Sequence, residues 1–326
     1  MTQLESHNER VEDWQQPSDV PTLTPAIIQR AKEGLDAARD PLARRSVQKS
    51  LEHGEAICLR HASAIAQGSF EPKINGEQRR FVLRTLIHAL FQVNVEFLER
   101  IPTTPVMLAS NHLSHFDPFL ILSEIPGRPH YHIVGDARTL FNKGWKRYFL
   151  SLTGGVIPLD RLWKEELAVI NGAKMGREDL AQLAAAIAQH VPDGSTIEAL
   201  RRIDRIVQSI FSRGDGIAIF PEGRLGTAEG QLHLPLKRGA AIYALRAGVP
   251  IVPVGIIGTK NLYFRKKLTL RFGEPLIFPQ SNRPKPREIQ AVLEALQAAL
   301  IALLPKDYQE PNELKLFGNF LNHLLW

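Results

Sequence analysis

Short apolar runs alternate with segments of helical periodicity along most of this 326-residue chain. The apolar runs predict strands near residues 93–101, 105–109, 131–135, 155–159, 216–220, 250–257 and 268–273. The segments between them predict helices near residues 118–125, 139–151, 177–190, 196–212 and 237–247. Such alternation is typical of an α/β domain in which helices flank a mostly parallel central sheet. Pro253 lacks a backbone N–H, so we expect its strand to lie at a sheet edge or to be bulged.

The two ends of the chain depart from this alternation. We predict a loose tail over 1–23, a small helical part over 24–76, the α/β domain over 77–304 and an amphipathic C-terminal tail over 305–326. Residues 77–91 predict an amphipathic helix whose charge comes from Arg79, Arg80 and Arg84. This helix either packs on the core or lies in a membrane interface. The C-terminal tail is likewise either docked on the body or inserted in a headgroup layer.

The charge balance favours anionic partners. The chain carries a formal net charge of +6 and has a pI near 9.5. Phosphorylated substrates, anionic lipid headgroups and nucleic acid all suit this charge. The basic and aromatic array of a nucleic-acid module is not visible, so we expect no nucleic-acid partner.

Cysteine content and apolar run length restrict both chemistry and location. Cys58 is the only cysteine, which excludes a disulfide framework, and we predict a buried apolar role for it and no metal site. The first residues lack the apolar core of a signal peptide, and no run approaches the roughly 20 apolar residues that span a bilayer. We therefore expect a cytoplasmic protein, either soluble or bound to a membrane surface.

His112 and Asp117 stand between an apolar run at 105–109 and another at 119–125. The first run predicts a strand and the second a short helix, so the pair lies on a connecting loop. A carboxylate bonded to one imidazole nitrogen leaves the other nitrogen able to take a proton from a hydroxyl. The alternative is structural: Asp117 before Pro118 is also a good helix start, and His112 is then an ordinary loop residue.

Three further sequence blocks follow this motif in order. They are Gly155 to Arg161 (GVIPLDR), Ile217 to Arg224 (IAIFPEGR) and Val249 to Ile256 (VPIVPVGI). Together with the His-x-x-x-x-Asp motif, they resemble the four blocks of the glycerolipid acyltransferase superfamily, which includes the PlsC-like lysophosphatidic acid acyltransferases. The resemblance covers roughly residues 93–278.

This resemblance implies an O-acyltransferase of phospholipid biosynthesis on the cytoplasmic face of a membrane. The fatty acyl donor would be acyl-CoA or acyl carrier protein, and the default acceptor would be lysophosphatidic acid. His112 would act as general base and Asp117 would orient it. Neither a cofactor nor a covalent intermediate is expected, because a thioester already carries a good leaving group.

The resemblance also implies acceptor-binding residues. Arg161 stands where the superfamily places an arginine for the acceptor phosphate, and Glu222 and Gly223 match its acceptor-binding pair. The alternatives are a surface salt bridge, with Asp160 adjacent, for Arg161 and a plain turn for Gly223. Arg224 comes one position earlier than in the usual Phe-Pro-Glu-Gly-Thr-Arg-Ser, so it serves either the same phosphate or a different headgroup. Lys237 either adds positive potential at the pocket or is a solvated surface residue.

Other functions remain compatible with these residues. The acceptor could be glycerol 3-phosphate, another lysolipid or a glycolipid. A non-catalytic peripheral lipid-binding protein and a thioesterase are further alternatives. The segment 162–195 is longer than the blocks require, and its role as a lid, an acyl-chain cover or plain packing stays open.

Overall fold

A computed structural model describes residues 20–60, 75–153, 155–192, 194 and 196–324 of the chain. The strands are β1 (Gln92–Glu96), β2 (Met107–Ser110), β3 (Tyr131–Asp136), β4 (Val156–Leu159), β5 (Gly216–Ile219), β6 (Ile251–Ile257) and β7 (Lys267–Phe272). They form a seven-stranded sheet in the order β1-β7-β6-β2-β5-β3-β4. β6 and β7 pair antiparallel, whereas β1–β7, β2–β6, β2–β5 and β3–β5 pair in parallel. The predicted α/β class with a mostly parallel sheet is confirmed.

The helices that the structure describes agree with most of the predicted ones. They are α1 (Pro25–Arg39), α2 (Pro41–Arg60), α3 (Gly76–Leu90), α4 (Asp117–Glu124), α5 (Ala137–Phe141), α6 (Gly144–Thr153), α7 (Lys164–Lys174), α8 (Ala181–His190), α9 (Ile197–Ser212), α10 (Gly239–Ala247), α11 (Pro286–Leu303) and α12 (Gly318–Leu324). The single helix predicted over 139–151 is wrong, because α5 and α6 divide this stretch. The sequence pattern had not predicted α7.

The strand predicted over 93–101 is too long. β1 ends at Glu96, and Phe97 takes a left-handed backbone conformation with φ of 61°. A short 3₁₀ turn, Leu98–Arg100, follows. The positive φ ends the extended conformation, so the apolar pattern beyond Glu96 belongs to a turn.

The edge position predicted for the strand with Pro253 is wrong, and a register shift of one residue lies beside the proline instead, between the Val254–Phe272 and Ile251–Leu276 pairs. β6 lies between β2 and β7, and its register with β2 runs through Ala109–Pro253 to Ser110–Val254 without interruption. Pairing with β7 starts only at Val254, and the Pro253 carbonyl accepts a hydrogen bond of 2.8 Å from the amide of Gly273, just past β7. The proline nitrogen therefore falls outside the β6–β7 ladder, where a missing donor costs little.

The chain divides into two compact units. The helical unit comprises Met1–Gly54, Gly135–Ser151 and Pro158–Asp204. The sheet unit comprises Glu55–Val134, Leu152–Ile157 and Arg205–Trp326. For each unit, the description covers only the residues listed above as described. The predicted division into four parts remains a prediction.

One apolar core holds the helical unit together. Its buried members come from α1, α7, α8 and the turns beside them: Ala31, Leu35, Ala38, Val169, Leu180, Ile187 and Val191. Much of the segment 162–195 thus packs against α1, which favours the packing alternative for that segment.

Some predictions fall outside the described residues. These are residues 1–19 of the predicted loose tail and the buried position of the Cys58 side chain.

Helix α3 has a buried side and an exposed apolar side. It begins with a capping box in which Asn75 and Gln78 each bond the other's backbone amide. Leu83 and Ile87 are buried, so the core-packing alternative is confirmed for this side. Arg79, one of the three arginines that supply the charge of this helix, is buried. Its guanidinium donates to the carbonyl of Tyr131 at 3.1 Å, and burial lowers its pKa to about 10.

The C-terminal tail is docked on the sheet unit. The buried ammonium of Lys266 donates to Glu310 at 2.8 Å, and the Tyr263 hydroxyl donates to Glu313 at 2.6 Å. Asn322 bonds the amide and the carbonyl of Leu262. The docked alternative is thus confirmed for residues 310–322. No helix among the described residues has the length and apolar character needed to cross a membrane.

Candidate active site

His112 and Asp117 meet in the loop between β2 and α4. Nδ1 of His112 lies 2.9 Å from Oδ2 of Asp117. The same carboxylate oxygen accepts the backbone amides of Leu113 at 2.6 Å and Ser114 at 2.8 Å. Asp117 is fully buried within this loop. A carboxylate acceptor fixes the proton on Nδ1 and leaves Nε2 as the basic nitrogen.

The helix does begin at Asp117 with Pro118 in its first turn, but the N-cap position predicted for Asp117 in the structural alternative is wrong. Asp117 is the first residue of α4, and Phe116 occupies the N-cap position without a side-chain cap. The hydrogen bonds of the Asp117 carboxylate run back to residues 112–114 rather than forward to the helix amides. This carboxylate therefore serves the histidine loop.

Phe220 packs against the imidazole from the end of β5. The rings of His112 and Phe220 are stacked, with centroids 4.1 Å apart and an interplanar angle of 24°. β5 is the neighbour of β2 in the sheet, so the carboxyl ends of the two parallel strands bring the first and third sequence blocks together.

Glu222 joins the same two loops through the backbone. Its Oε1 accepts the amide of His112 at 2.6 Å, and its Oε2 accepts the amide of His233 at 2.6 Å. The carbonyl of His112 in turn accepts the amide of Gly226 at 2.6 Å. Burial raises the pKa of Glu222, while the amides of His233 and His112 act in the opposite direction. Both carboxylate oxygens thus hold the loops, and the predicted contact with an acceptor stays a prediction.

Gly223 is required by the turn that follows Phe220. Its φ is +67°, and an added Cβ would lie 3.0 Å from Cγ of Lys237. The amide of Lys237 donates to the carbonyl of Pro221 at 2.7 Å. The stem of Lys237 therefore covers the turn, and a side chain at Gly223 would need both an unfavourable φ and a displaced lysine.

Arg224 faces a histidine that the sequence pattern did not single out. One of its terminal guanidinium nitrogens, Nη2, lies 2.9 Å from Nδ1 of His233. Because the amide of His233 is held by Glu222, the same carboxylate positions both His112 and the partner of Arg224.

Two further residues tie these loops to the end of β6. Asn111, directly before His112, accepts the amide of Ile256 at 2.7 Å and donates to its carbonyl at 2.9 Å. Glu229 accepts the amides of Gly258 and Lys260, each at 2.9 Å. Burial raises the pKa of Glu229, and these two amides oppose that shift. The position of Asn111 next to His112 was the one sequence signal available for either residue.

The residues that the structure describes include no cluster of three His, Cys, Asp or Glu side chains arranged to hold a metal ion. The expectations of no metal and no cofactor remain predictions.

Comparisons with known proteins agree with this geometry. The family model described as Acyltransferase matches residues 92–257, a range that contains the His112–Asp117 pair and the Glu222 turn. The chain belongs to the acyltransferase family. The resemblance in the four sequence blocks is thereby confirmed at the level of the family.

Individual relatives of this acyltransferase-family chain are more distant. It is 27% identical over 179 residues to the chloroplastic 1-acyl-sn-glycerol-3-phosphate acyltransferase of Brassica napus, covering 54% of this chain and 40% of the relative. It is 32% identical over 113 residues to the 1-acyl-sn-glycerol-3-phosphate acyltransferase of Salmonella typhimurium, covering 33% and 45%. The chain thus spans less than half of the length of either relative.

One solved structure aligns with most of this chain. The 1-acyl-sn-glycerophosphate (LPA) acyltransferase PlsC from Thermotoga maritima aligns over 84% of this chain and 98% of its own. The TM-score is 0.43 and the sequence identity 18%.

Arg161 belongs to the helical unit, whereas the six other predicted site residues of this acyltransferase-family chain belong to the sheet unit. Its Nε lies 2.8 Å from Oδ2 of Asp136, which also accepts the indole N–H of Trp163 at 2.8 Å. The salt-bridge alternative for Arg161 is thus supported, with Asp136 as a partner. Although burial opposes ionisation of Asp136, Arg161 and its neighbours hold the pKa of that carboxyl below its usual range.

We expect Glu222→Gln to destabilise the sheet unit. The amide nitrogen of glutamine would face one of the two backbone donors, which would leave a buried N–H unpaired. The free energy of unfolding should fall by about 1–3 kcal/mol in equilibrium urea denaturation. The matched control is Glu99→Gln, an exposed carboxylate of the 3₁₀ turn, which should change little. Equal stability of the two variants would contradict the bridging role.

We expect Asp136→Asn to lose stability in a pH-dependent way. A carboxyl whose folded-state pKa is lowered stabilises the fold above its unfolded pKa, and this contribution is lost as pH falls through the folded-state pKa. The deficit of the variant should therefore be about 1–3 kcal/mol at pH 7 and should shrink below about pH 4. Urea denaturation across pH measures it.

Asp179→Asn is the control for this experiment, because Asp179 pairs with Arg177 at the exposed surface. A deficit of Asp136→Asn that is the same at pH 3 and pH 7 would contradict the ionic role of Asp136.

Proposed function

We propose that this chain transfers a fatty acyl group from an acyl-CoA or acyl carrier protein thioester to the free hydroxyl of lysophosphatidic acid, in phospholipid biosynthesis. The observation that carries this proposal is the buried Asp117 carboxylate on Nδ1 of His112, in a chain of the acyltransferase family. The names of the Brassica napus and Salmonella typhimurium relatives support the acceptor.

The dyad can perform direct acyl transfer. Nε2 of His112 takes the proton of the acceptor hydroxyl while the hydroxyl oxygen attacks the carbonyl carbon of the thioester. The resulting tetrahedral species collapses, the C–S bond breaks, and the imidazolium gives its proton to the leaving thiolate. Asp117 stabilises the imidazolium between these steps. The products are an ester and a free thiol, with no acyl-enzyme on the path.

The surroundings of Ser114 support attack by the acceptor itself rather than by an enzyme nucleophile. The amide of Ser114 donates to Asp117, and its hydroxyl oxygen accepts the amide of Phe116 at 3.2 Å. These bonds support a role for Ser114 in holding the loop. A serine nucleophile would instead need its hydroxyl directed at the base.

We propose Arg224 and Lys237 for the acceptor phosphate, with Glu222 and Gly223 shaping the turn beside it. The proposal of Arg161 for this phosphate rests on its sequence block alone. Guanidinium groups suit a phosphate because their planar fork can bond two oxygens at once. Glycerol 3-phosphate and other lysolipids are alternative acceptors for the same cations. We further propose that the chain acts as a peripheral protein on the cytoplasmic face of a membrane, without a cofactor.

The decisive experiment is thiol release from an acyl-CoA panel and from acyl carrier protein, with lysophosphatidic acid, glycerol 3-phosphate or no acceptor. We expect release that depends on lysophosphatidic acid, and His112→Ala should lower kcat/KM by about 10²–10⁴-fold because the base is lost. His115→Ala is the matched control, since its ring lies 6.4 Å from that of His112 in the same loop. It should retain activity within a few-fold.

Other outcomes would replace the proposal. Normal turnover by His112→Ala would remove the dyad mechanism. Free fatty acid formed without acceptor would indicate a thioesterase. Binding of lipid vesicles with no thioester consumed for any acceptor would indicate a lipid-binding protein on this scaffold.

A further inference from the structure

The contact between Arg224 and His233 requires one form of the imidazole ring. Nη2 of Arg224 lies 2.9 Å from Nδ1 of His233. A guanidinium stays charged in proteins and offers only N–H donors, so Nδ1 of His233 must accept this hydrogen bond. The ring is therefore neutral and carries its single proton on Nε2. An imidazolium, or a ring with its proton on Nδ1, would place two donors against each other.

His112 takes the opposite tautomer, although the same carboxylate holds both histidines. Its Nδ1 faces the Asp117 carboxylate at 2.9 Å and therefore carries the proton. Glu222 accepts the amide of His112 through Oε1 and the amide of His233 through Oε2. One carboxylate thus fixes the backbone of both residues, while their different side-chain partners select opposite tautomers. This difference suits His112 to take a proton and His233 to hold a cation.

The backbone at His233 belongs to a short segment, residues 233–237, that is tied to the Glu222 turn at both of its ends. The amide of His233 donates to Glu222 at 2.6 Å. Four residues later, the amide of Lys237 donates to the carbonyl of Pro221 at 2.7 Å. The imidazole therefore projects from a backbone that cannot move away from the turn without breaking these bonds.

An ordered arginine binds a ligand at a lower entropic cost than a mobile one. A long side chain loses rotamer freedom when a ligand immobilises it, and a contact that already orders the side chain lowers this cost. The bond to His233 uses one of the five N–H donors of the Arg224 guanidinium. An imidazole orders the group without placing a negative charge against it, which a carboxylate partner would do. Both residues are half-buried, so a solute can reach them.

We propose that His233 is a positioning residue for acceptor binding. Its neutral ring orders Arg224, and the ordered guanidinium bonds the acceptor phosphate through its planar fork. His233 acts through Arg224 and takes no part in the proton transfer. This inference rests on the proposed function, because it adds to the role given there to Arg224.

Two amide variants separate positioning from the mere presence of a side chain. In His233→Asn the amide oxygen is attached to Cγ, as Nδ1 is in histidine, so it can accept the same bond from Arg224. In His233→Gln the oxygen is one bond further out, at the position of Nε2. We expect His233→Gln to bind a short-chain, water-soluble lysophosphatidic acid about 3–10-fold more weakly, which corresponds to the cost of ordering one long side chain. His233→Asn should bind within twofold of wild type.

Titration calorimetry of the full chain measures these Kd values. The control ligand is a monoacylglycerol of the same chain length, whose affinity should be equal in wild type and both variants because it has no phosphate for Arg224. In turnover, His233→Gln should raise KM for lysophosphatidic acid by the same factor as Kd. Its kcat and its KM for the acyl donor should stay within twofold of wild type, which separates positioning from a general loss of fold.

The tautomer is measured without any substrate. Long-range ¹H–¹⁵N NMR of the histidine-labelled full chain, with the His233 signal assigned from His233→Asn, should show a proton on Nε2 in wild type. Arg224→Met removes the donor and should give a mixture of tautomers. A proton on Nδ1 of His233 in wild type would overturn the inference.

The binding data give the other decisive outcomes. Equal affinity of wild type and His233→Gln for lysophosphatidic acid would overturn the positioning role, and so would equal losses in His233→Gln and His233→Asn. Phosphate-dependent binding that follows the expected order, without any acyl transfer by wild type, would refute the proposed function and leave the positioning role in place.

Discussion

The Glu222 carboxylate is the contact on which the site depends, because it bonds the backbone of two loops at once. Those loops leave the carboxyl ends of β2 and β5, which are neighbours in the sheet. Asn111 adds the end of β6, and Glu229 holds the loop that follows β6. Lys260 closes the set by donating to the carbonyl of Gly226 at 2.9 Å. The imidazole of His112 is thus positioned mainly by backbone hydrogen bonds, which need little reorganisation during a reaction.

The two buried carboxylates next to His112 have different hydrogen-bond partners and therefore different roles. Asp117 bonds the ring and two amides of its own loop, whereas Glu222 bonds amides from two separate loops. Asp117 is therefore suited to stabilise an imidazolium, and Glu222 to hold the loop that presents it. The sequence resemblance treated Glu222 as an acceptor-binding residue, and its backbone role became visible only with the strands in place.

The sequence predicted those features that local patterns control. Continuous apolar runs predicted the buried strands. The five-residue spacing of His112 and Asp117 fits a loop that folds back so that the two side chains meet. Strand order is not encoded in such patterns, so the Asn111–Ile256 bonds could not be predicted, nor the interior position of Pro253. The burial of Arg79 could not be predicted either, because a helical pattern does not show which backbone carbonyl will accept a hydrogen bond from the guanidinium. In the structure that acceptor is the carbonyl of Tyr131.

The protonation state of the His112 ring distinguishes a general base from a structural histidine. Long-range ¹H–¹⁵N NMR of the histidine-labelled full chain would report it at a pH where the ring is neutral, with the signal assigned by comparison with His112→Gln. We expect a proton on Nδ1 and a bare Nε2 in wild type, and a mixture of tautomers in Asp117→Asn. A proton on Nε2 in wild type would contradict the general-base role, because that nitrogen could not then accept the proton of a hydroxyl.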